Sequence, residues 1–289
     1  MVSNNVIENI KSLLYKSHLR NILRLLGLGR MIMLVSEFRL AAFKWTSRNR
    51  PAKGTERVHI NDTYLDFCHT SHFELFRLNH IGGEQKLIQL LLDNTRSGDV
   101  VFDIGANIGM YSLFLAKKVG IGGQVISFEP EKNSRARLLV NIKLNAIENM
   151  RVLETALGET ASEGVMDFSD EGGSGVNRIL GNDEGESPSH QQTISVAPGD
   201  TVIHEHSLPA PNVLKIDVEG MEYDVLKGIT QTLKHPDCRF ILLEIHFSLH
   251  AKLGRDNVPR QIENLLSNSG FTYLEWADTS HLIGRKKSL

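Results

Sequence analysis

The sequence predicts an α/β fold with a doubly wound, mostly parallel sheet and helices on both faces. Short apolar segments rich in β-branched residues recur at 100–104, 124–128, 213–216 and 240–245. Runs of this kind are typical of strands that a parallel sheet buries on both faces. Each run stops before a glycine, an acid or a histidine, where ligands bind in such sheets. The 289 residues, 41% of them hydrophobic, suffice for one sizeable domain with appendages or two small ones.

The overall composition excludes several classes of function. A formal net charge of −2 provides no global basic field, so no nucleic-acid partner is expected. Cys68 and Cys238 are the two cysteines, and they lie far apart without paired spacing. Neither a disulfide framework nor a thiolate metal site is therefore predicted, and a reducing cytoplasm is the expected location.

Residues 1–55 form a basic arm ahead of the predicted domain at 56–289. Ten lysines and arginines face only two glutamates there, and apolar residues recur between them at helical spacing. The pattern predicts an amphipathic helix with two interpretations. It covers apolar surface of this domain or of a second copy, which we favour, or it rests on an anionic membrane surface. No membrane span or cleavable signal is predicted, because residues 31–42 include Glu37 and Arg39 and the chain opens with polar residues.

A short hairpin and a helix are predicted between the arm and the first central strand. β-prone residues from Arg57 to His69 surround a turn at Asn61-Asp62. The helix opens at Glu84, which also begins the predicted core at 84–285. The histidines of this region are expected to be structural or exposed, because they lack metal-ligand spacing.

The stretch from Val100 to Gly109 is the centre of the predicted fold, reading as strand, tight turn and helix. Gly105 is expected to admit a ligand close to the backbone, and Gly109 to bring the helix close to the strand. The turn reads Asp-x-Gly-x-x-x-Gly instead of the dinucleotide pattern Gly-x-Gly-x-x-Gly. Asp103 at the strand tip would repel a pyrophosphate but could receive the ammonium of S-adenosylmethionine. The alternative is an ordinary turn in a phosphate-binding or ligand-free domain.

An acid follows the second central strand. Glu129 comes 20 positions after Gly109, and Pro130 after it stops strand pairing and helps to start a helix. An acid at this spacing is placed to accept both hydroxyl hydrogens of an adenosine ribose. The alternative is an exposed carboxylate favoured by the helix dipole. A helix at 132–145 and a third strand at 151–155 are predicted next.

The pattern becomes irregular between about 165 and 205, where we expect an insertion that selects the substrate. Its flanks, Val165 to Phe168 and Thr193 to Val196, are candidates to pair as an outlying ribbon. His204 and His206 are expected to face solvent, because no third metal ligand is close in sequence.

A second informative stretch surrounds Asp217 and Glu219 at the end of a buried strand. These acids could accept a proton from a hydroxyl or hold a divalent cation that acidifies it. We favour proton acceptance or substrate binding and predict no metal, because no third oxygen ligand is evident; helix capping is the alternative. His246 ends the next strand, would be neutral at pH 7 if its surroundings do not perturb it, and is either a general base or a hydrogen-bonding wall residue. A helix at 261–269 and a hairpin of 271–276 with 281–285 close the chain.

Four motifs in this order resemble the FkbM family of methyltransferases: residues 102–109 (FDIGANIG), 128–130 (FEP), 214–220 (LKIDVEG) and 243–246 (LEIH). The resemblance covers roughly 84–285. It implies a Rossmann-like class I methyltransferase with a seven-stranded sheet, an antiparallel final hairpin and S-adenosylmethionine as cofactor. It also implies methylation of a hydroxyl on a small molecule, sugar, glycolipid or glycan.

The resemblance assigns several residues. The cofactor turn would contain Asp103, Gly105, Asn107 and Gly109, the ribose acid would be Glu129, and the acidic motif would contain Asp217 and Glu219. Gly199-Asp200 stands where the family often has Leu-Asp.

The sequence therefore predicts methyl transfer from a sulfonium to a substrate oxygen, with Asp217, Glu219 and His246 as catalytic candidates. A homo-oligomer and a peripheral membrane contact of the arm are compatible with it. Two rivals remain. One is a nicotinamide oxidoreductase, which the missing dinucleotide pattern disfavours, and the other is a membrane-surface module with a vestigial cofactor cleft.

Overall fold

A computed structural model describes residues 51–167, 178–180 and 191–287. Its strands are β1 (Gly54–Ile60), β2 (Thr63–His69), β3 (Val100–Ile104), β4 (Gln124–Phe128), β5 (Met150–Leu153), β6 (Ala156–Gly158), β7 (Ser162–Asp167), β8 (Arg178–Leu180), β9 (Gln191–Pro198), β10 (Val213–Ile216), β11 (Phe240–Glu244), β12 (Phe271–Trp276) and β13 (His281–Lys286). Its helices are α1 (His72–Asn79), α2 (Gly82–Asn94), α3 (Met110–Val119), α4 (Lys132–Leu144), α5 (Gly199–Glu205), α6 (Glu222–Gly228), α7 (Thr230–Lys234), α8 (Phe247–Lys252) and α9 (Val258–Asn268).

The central sheet has seven strands in the order β12-β13-β11-β10-β3-β4-β5. The five strands from β11 to β5 in that order are parallel, whereas β13 is antiparallel to β11 and to β12. The predicted seven-stranded sheet with an antiparallel final hairpin is thus confirmed. The carboxyl ends of β3, β4, β10 and β11 consequently lie along one edge.

Successive side chains of the central strands belong to different cores. Val101 packs with helices α2 and α3 in one core, and Phe102 packs with helices α6 and α9 in the other. Side chains alternate across a strand, so a strand covered on both faces needs apolar residues at consecutive positions. This explains the uninterrupted apolar runs of the sequence.

The predicted hairpin before the sheet is present as β1 and β2. Ile60 pairs with Thr63, so the turn consists of Asn61 and Asp62, and Asn61 adopts the left-handed φ of 51°. The buried side chain of Asn141 in α4 anchors the hairpin. Its Oδ1 accepts the N–H of Cys68 at 2.8 Å, and its Nδ2 donates to the carbonyl of Ile108 at 2.9 Å.

A second sheet lies beside the central one in the order β6-β9-β7-β8. Val165 pairs with Thr193 in antiparallel register, as predicted for the outlying ribbon. The stretch predicted as irregular from 165 to 205 also contains strand β9 and helix α5. Residues 168–177 and 181–190 of that stretch lie outside the described residues.

Asp200 has a structural role in this region. Its carboxylate accepts hydrogen bonds from the N–H groups of Gln231 and Thr232 and from the Thr232 hydroxyl, at 2.6 to 3.0 Å. It therefore joins α5 to the first turn of α7.

The predicted amphipathic helix of the basic arm lies outside the described residues. Residues 54 and 55 of the predicted arm belong to β1 instead. In the part of the chain that the structure describes, no helix combines the length and apolar character needed to cross a membrane.

Candidate active site

A cavity opens at the carboxyl edge of the central sheet, where the predicted site residues meet. The predicted residues in its wall are Gly105, Asn107, Glu129, Asp217 and Glu219. This is the edge at which ligands bind in doubly wound sheets. Asp103, Gly109 and His246 are not part of this wall.

Gly105 is required by its neighbour strand. Its φ is +82°, and a Cβ at this position would lie 1.8 Å from the carbonyl oxygen of Asp217. Gly105 also lines the cavity, so its approach to a ligand stays a prediction, but the space that its Cβ would take is filled by the backbone after β10. The turn after β3 and the backbone at Asp217, which follows β10, are therefore in direct contact.

Gly109 permits close packing of a helix, but its partner is another helix. It has a φ of +89°, and a Cβ would lie 2.3 Å from Cδ1 of Leu138 in α4 and 2.6 Å from Cδ1 of Leu113. The sequence predicted that Gly109 would bring this helix close to strand β3, whereas the contact that Gly109 permits is with α4. The start of α3 is thereby held against α4.

Asp103 is fully buried beneath the turn. Its Oδ2 accepts a hydrogen bond from the Ser112 hydroxyl at 2.5 Å, and its Oδ1 lies 3.1 Å from Nζ of Lys215. The expectation that its carboxylate receives the cofactor ammonium does not fit this geometry, because the strand directs the side chain under α3 instead of into the cavity. Its charge is balanced by Lys215.

Glu129 lies in the cavity wall, where two backbone groups fix its carboxylate. Oε2 accepts the N–H of Asn107 at 2.6 Å, and Oε1 accepts the N–H of Glu131 at 2.9 Å. Asn107 adopts a left-handed φ of 51° in this turn. Burial raises the pKa of Glu129 to about 7, although both hydrogen bonds oppose the shift.

Lys215 is a site residue that the sequence reasoning missed. Its Nζ donates to the Gly105 carbonyl at 2.9 Å, lies 3.6 Å from Oδ2 of Asp217 and sits 5.0 Å from the centre of the Tyr111 ring. Burial lowers its pKa, but the charges of Asp103 and Asp217 outweigh burial and raise it to about 12. The available signal was a lysine inside the otherwise apolar strand Val213–Ile216.

Asp217, Glu219 and His246 come together where β10 and β11 end. His246 Nε2 lies 3.1 Å from Oε2 of Glu219 and 3.8 Å from Oδ1 of Asp217. Glu219 adopts a φ of 48°, and the following Gly220 a φ of 93°, so the chain turns sharply there. The helix α6 starts after Met221 without a side-chain cap, so the capping alternative for both acids is not observed.

His246 is held protonated by its surroundings. Burial lowers its pKa, but the hydrogen bond to Glu222 and the charge of Glu219 outweigh burial and raise it to about 9. The expectation of a neutral imidazole at pH 7 is therefore corrected, because several carboxylates surround this ring. Burial also raises the pKa of Asp217, against the positive charge of Lys215, and that of Glu219 to about 8.

Glu222 and His250 support His246 from below, and neither was predicted. Glu222 is fully buried; its Oε1 contacts Nδ1 of His246 at 2.5 Å and its Oε2 contacts Nε2 of His250 at 2.7 Å. Burial raises the pKa of Glu222, but these two histidines outweigh it and lower the pKa to about 2. The carboxylate also accepts the N–H of Gly220 at 2.9 Å, which fixes the turn.

The sequence matches the Methyltransferase FkbM domain over residues 103–273. The hexuronic acid methyltransferase AglP of Haloferax volcanii is 30% identical over 217 residues, which are 74% of this chain and 82% of that protein. The 31-O-demethyl-FK506 methyltransferase FkbM of Streptomyces tacrolimicus is 31% identical over 208 residues, 63% of this chain and 76% of that protein.

Among solved structures, the O-methyltransferase TomG of Streptomyces achromogenes, in complex with S-adenosylmethionine, has a TM-score of 0.43 and 14% identity. The aligned region covers 71% of this chain and 81% of that one. The assignment rests on the sequence matches. Since these extend over more than half of the chain, it belongs to the FkbM family of S-adenosylmethionine-dependent methyltransferases.

Proposed function

We propose that this protein transfers the methyl group of S-adenosylmethionine to a hydroxyl oxygen of a sugar or another small molecule. One observation carries the proposal. The cavity that contains Glu129 and the glycine turn also contains Asp217 and Glu219, so acids for the nucleoside and for the acceptor share one space.

The cofactor would lie over the turn, with its ribose hydroxyls donating to Glu129. That carboxylate already faces the cavity and is held by the backbone of Asn107. Asp103 would act indirectly, because its partner Lys215 binds the carbonyl of Gly105 and so stabilises the turn.

The transfer step needs alignment and removal of one proton. The acceptor oxygen forms a bond to the methyl carbon as the carbon–sulfur bond breaks, and the electron pair of that bond stays on sulfur. The hydroxyl proton passes to Asp217. We prefer Asp217 to His246 as the base because His246 already holds a proton at neutral pH, whereas burial makes Asp217 more basic than an exposed aspartate.

The nature of the acceptor is supported by two relatives of different substrate classes. One relative is named for a hexuronic acid and the other for a demethylated FK506. A small-molecule or glycan acceptor with an oxygen nucleophile fits both.

The test uses the full chain and S-adenosylmethionine carrying a radiolabelled methyl group. Sugars, uronic acids, polyhydroxylated small molecules and glycolipid extracts serve as acceptors. Alkaline hydrolysis then separates products, because it releases a methyl from an ester but not from an ether or an amine. We expect base-stable label on oxygen, reduced about 100-fold or more in Asp217→Asn. Base-labile label, which marks a methyl ester, would contradict the proposal, as would base-stable label that mass spectrometry places on nitrogen or carbon.

We further infer a cytoplasmic location from the two free cysteines, Cys68 and Cys238. For the basic arm, packing on the domain or on a second copy remains our preferred proposal. Co-sedimentation of the full chain with anionic but not neutral vesicles would favour the membrane-surface alternative instead.

A further inference from the structure

Asp217, Glu219 and His246 offer three ligand atoms around one point. One donor atom from each residue lies within 4.8 Å of the other two. In an octahedral site with bonds of about 2.1 Å, ligand atoms are ~3 Å apart when adjacent and ~4.2 Å apart when opposite. The separations of 3.1 and 3.8 Å from His246 Nε2 to the two acids lie in that range. The third ligand that the sequence did not reveal is thus a nitrogen from the neighbouring strand.

The imidazole has the support that metal-binding histidines require. Glu222 holds Nδ1, so Nε2 faces Asp217 and Glu219, and an ion that binds there would displace the Nε2 proton. Metal-ligating histidines almost always use their second nitrogen in this way, and the partner fixes the orientation of the ring. Glu222 is itself fully buried and is fixed by contacts with His250 and the Gly220 N–H. The group that orients the His246 ring is therefore held in place.

Two of the three residues line the cavity, and all three are partly exposed. Asp217 and Glu219 lie in its wall, and the side chains of Asp217, Glu219 and His246 keep 31%, 17% and 16% of their surface exposed. An ion with three protein ligands on one side would therefore keep open positions toward the acceptor. Within 51–167, 178–180 and 191–287, no other group brings three such donors together.

A nearby histidine shows how a simple ion pair at the same edge differs. His281 lies between Asp278, at 2.9 Å, and Glu244, at 3.3 Å. The contact with Asp278 belongs to a hairpin turn, since Asp278 Oδ1 also accepts the N–H groups of Ser280 and His281, whereas Glu244 is the last residue of β11 and pairs with His281 across the sheet. His281 therefore provides a matched control of the same chemistry without a third convergent donor.

We propose that Asp217, Glu219 and His246 form a binding site for a divalent cation. Two carboxylates and one imidazole suit an ion that prefers oxygen ligands and accepts nitrogen, which describes Mn²⁺ and, more weakly, Mg²⁺. The site refines the proposed function and rests on it for its role in catalysis. The acceptor hydroxyl would bind the ion, which lowers the hydroxyl pKa.

The bonds that form and break would be the same as for a hydroxyl that is not bound to an ion. The coordinated oxygen gives its proton to solvent, bonds to the methyl carbon and releases a neutral thioether as the carbon–sulfur bond breaks. With the ion bound, Asp217 would act as a ligand, so the role of base proposed for it above would apply only to the site without an ion.

The experiment measures Mn²⁺ binding directly. The full chain is treated with a chelator, dialysed and titrated with Mn²⁺ while free Mn²⁺ is followed by electron paramagnetic resonance. We expect one ion per chain, displaced by excess Mg²⁺. Glu219→Gln should weaken binding at least tenfold, because it removes a charged ligand, and His246→Asn serves as a second variant. His281→Asn should bind as tightly as the parent chain, with circular dichroism checking that each variant is folded.

The absence of saturable Mn²⁺ binding would overturn the site. Equal affinity in the parent chain and in a folded Glu219→Gln or His246→Asn variant would also overturn it, as would equal loss in His281→Asn. Methyl transfer is then measured with and without chelator. Transfer that persists at full rate in chelator removes the catalytic role of the ion, whereas Mn²⁺ binding without any transfer in either condition supports the site and contradicts the proposed function.

Discussion

Glu129 has the two properties that a ribose-binding acid requires. It faces the cavity, and two backbone N–H groups hold its carboxylate in place. Burial sets its pKa near 7, so its charge changes within the range in which the protein can be assayed. This makes its role accessible to a titration of binding.

We predict that cofactor affinity rises with pH through 7. The ionised carboxylate accepts the ribose hydroxyl hydrogens, and an acid of pKa about 7 is mostly protonated at pH 6 and mostly ionised at pH 8. The dissociation constant of S-adenosylmethionine should fall about tenfold between these values. Calorimetry measures this dissociation constant. Titration of the cofactor's own amino group affects binding equally in the parent chain and in a Glu129→Gln variant, so the variant serves as a reference. Glu148→Gln, at an exposed position, is the control and should keep the pH dependence of the parent chain. If Glu129→Gln keeps the same pH dependence as Glu148→Gln, Glu129 does not bind the cofactor.

Gly105 tests the contact between the turn and the acidic segment. A Cβ there would meet the carbonyl oxygen of Asp217 at 1.8 Å, so Gly105→Ala must move the backbone. We predict a loss of about 3 kcal/mol in the free energy of unfolding and loss of cofactor binding.

The control for this change is Gly254→Ala. Gly254 has a φ of +65°, but no heavy atom lies within 4 Å of the point that a Cβ would occupy, so only backbone strain of about 1 kcal/mol is expected. Chemical denaturation compares the two variants. Similar losses in both would mean that the close approach of Asp217 is unimportant.

Helix α4 joins the β1–β2 hairpin to the turn at residues 105–109. Asn141 makes both connections, to the N–H of Cys68 and to the carbonyl of Ile108. The side chain is fully buried, so water does not replace these bonds when they are removed. The Asn141 amide group therefore links the hairpin to the turn, and Asn145 adds two hydrogen bonds to the backbone of Asp66 in the hairpin.

We predict that Asn141→Ala destabilises the chain by about 2–4 kcal/mol, since it leaves two buried backbone groups unpaired. The amide of Cys68 should exchange with deuterium faster than in the parent chain, which hydrogen-exchange mass spectrometry measures. Asn133→Ala, on the exposed face at the start of the same helix, should change neither quantity appreciably. Unaltered exchange at Cys68 in Asn141→Ala would show that the hairpin is held by other contacts.

In the whole molecule, the residues that we propose for the cofactor and the acceptor lie along one edge of a sheet packed on both faces. A ligand that binds only the folded chain therefore stabilises both cores together. At a concentration 100 times its dissociation constant, S-adenosylmethionine should contribute about 2.7 kcal/mol and raise the Tm by roughly 5–10 °C. NAD should leave the Tm unchanged. Differential scanning fluorimetry measures the Tm with each compound. A rise in Tm with NAD but not with S-adenosylmethionine would contradict the assignment of the cavity.

Much of the fold could be predicted because its signals are local. A buried parallel strand requires consecutive apolar residues, and the turn after Ile104 requires residues that adopt positive φ. The hairpin turn at Asn61 and the closing hairpin followed from such patterns, whereas the seven-stranded sheet with its antiparallel end was implied by the resemblance to the FkbM family. The positions of Asp217 and Glu129 at the sheet edge followed as well, because parallel strands end together.

The functional details of the site depend on contacts between distant parts of the chain. The sequence alone determined the family, the sheet and the acids at its edge, since each of these is encoded within a few neighbouring residues. Tertiary structure decided that Asp103 neutralises Lys215, that Gly105 yields space to Asp217, and that Glu222 orients His246 toward two carboxylates. The physical reason is that charge balance, burial and ligand geometry arise only when separate strands and helices pack side by side.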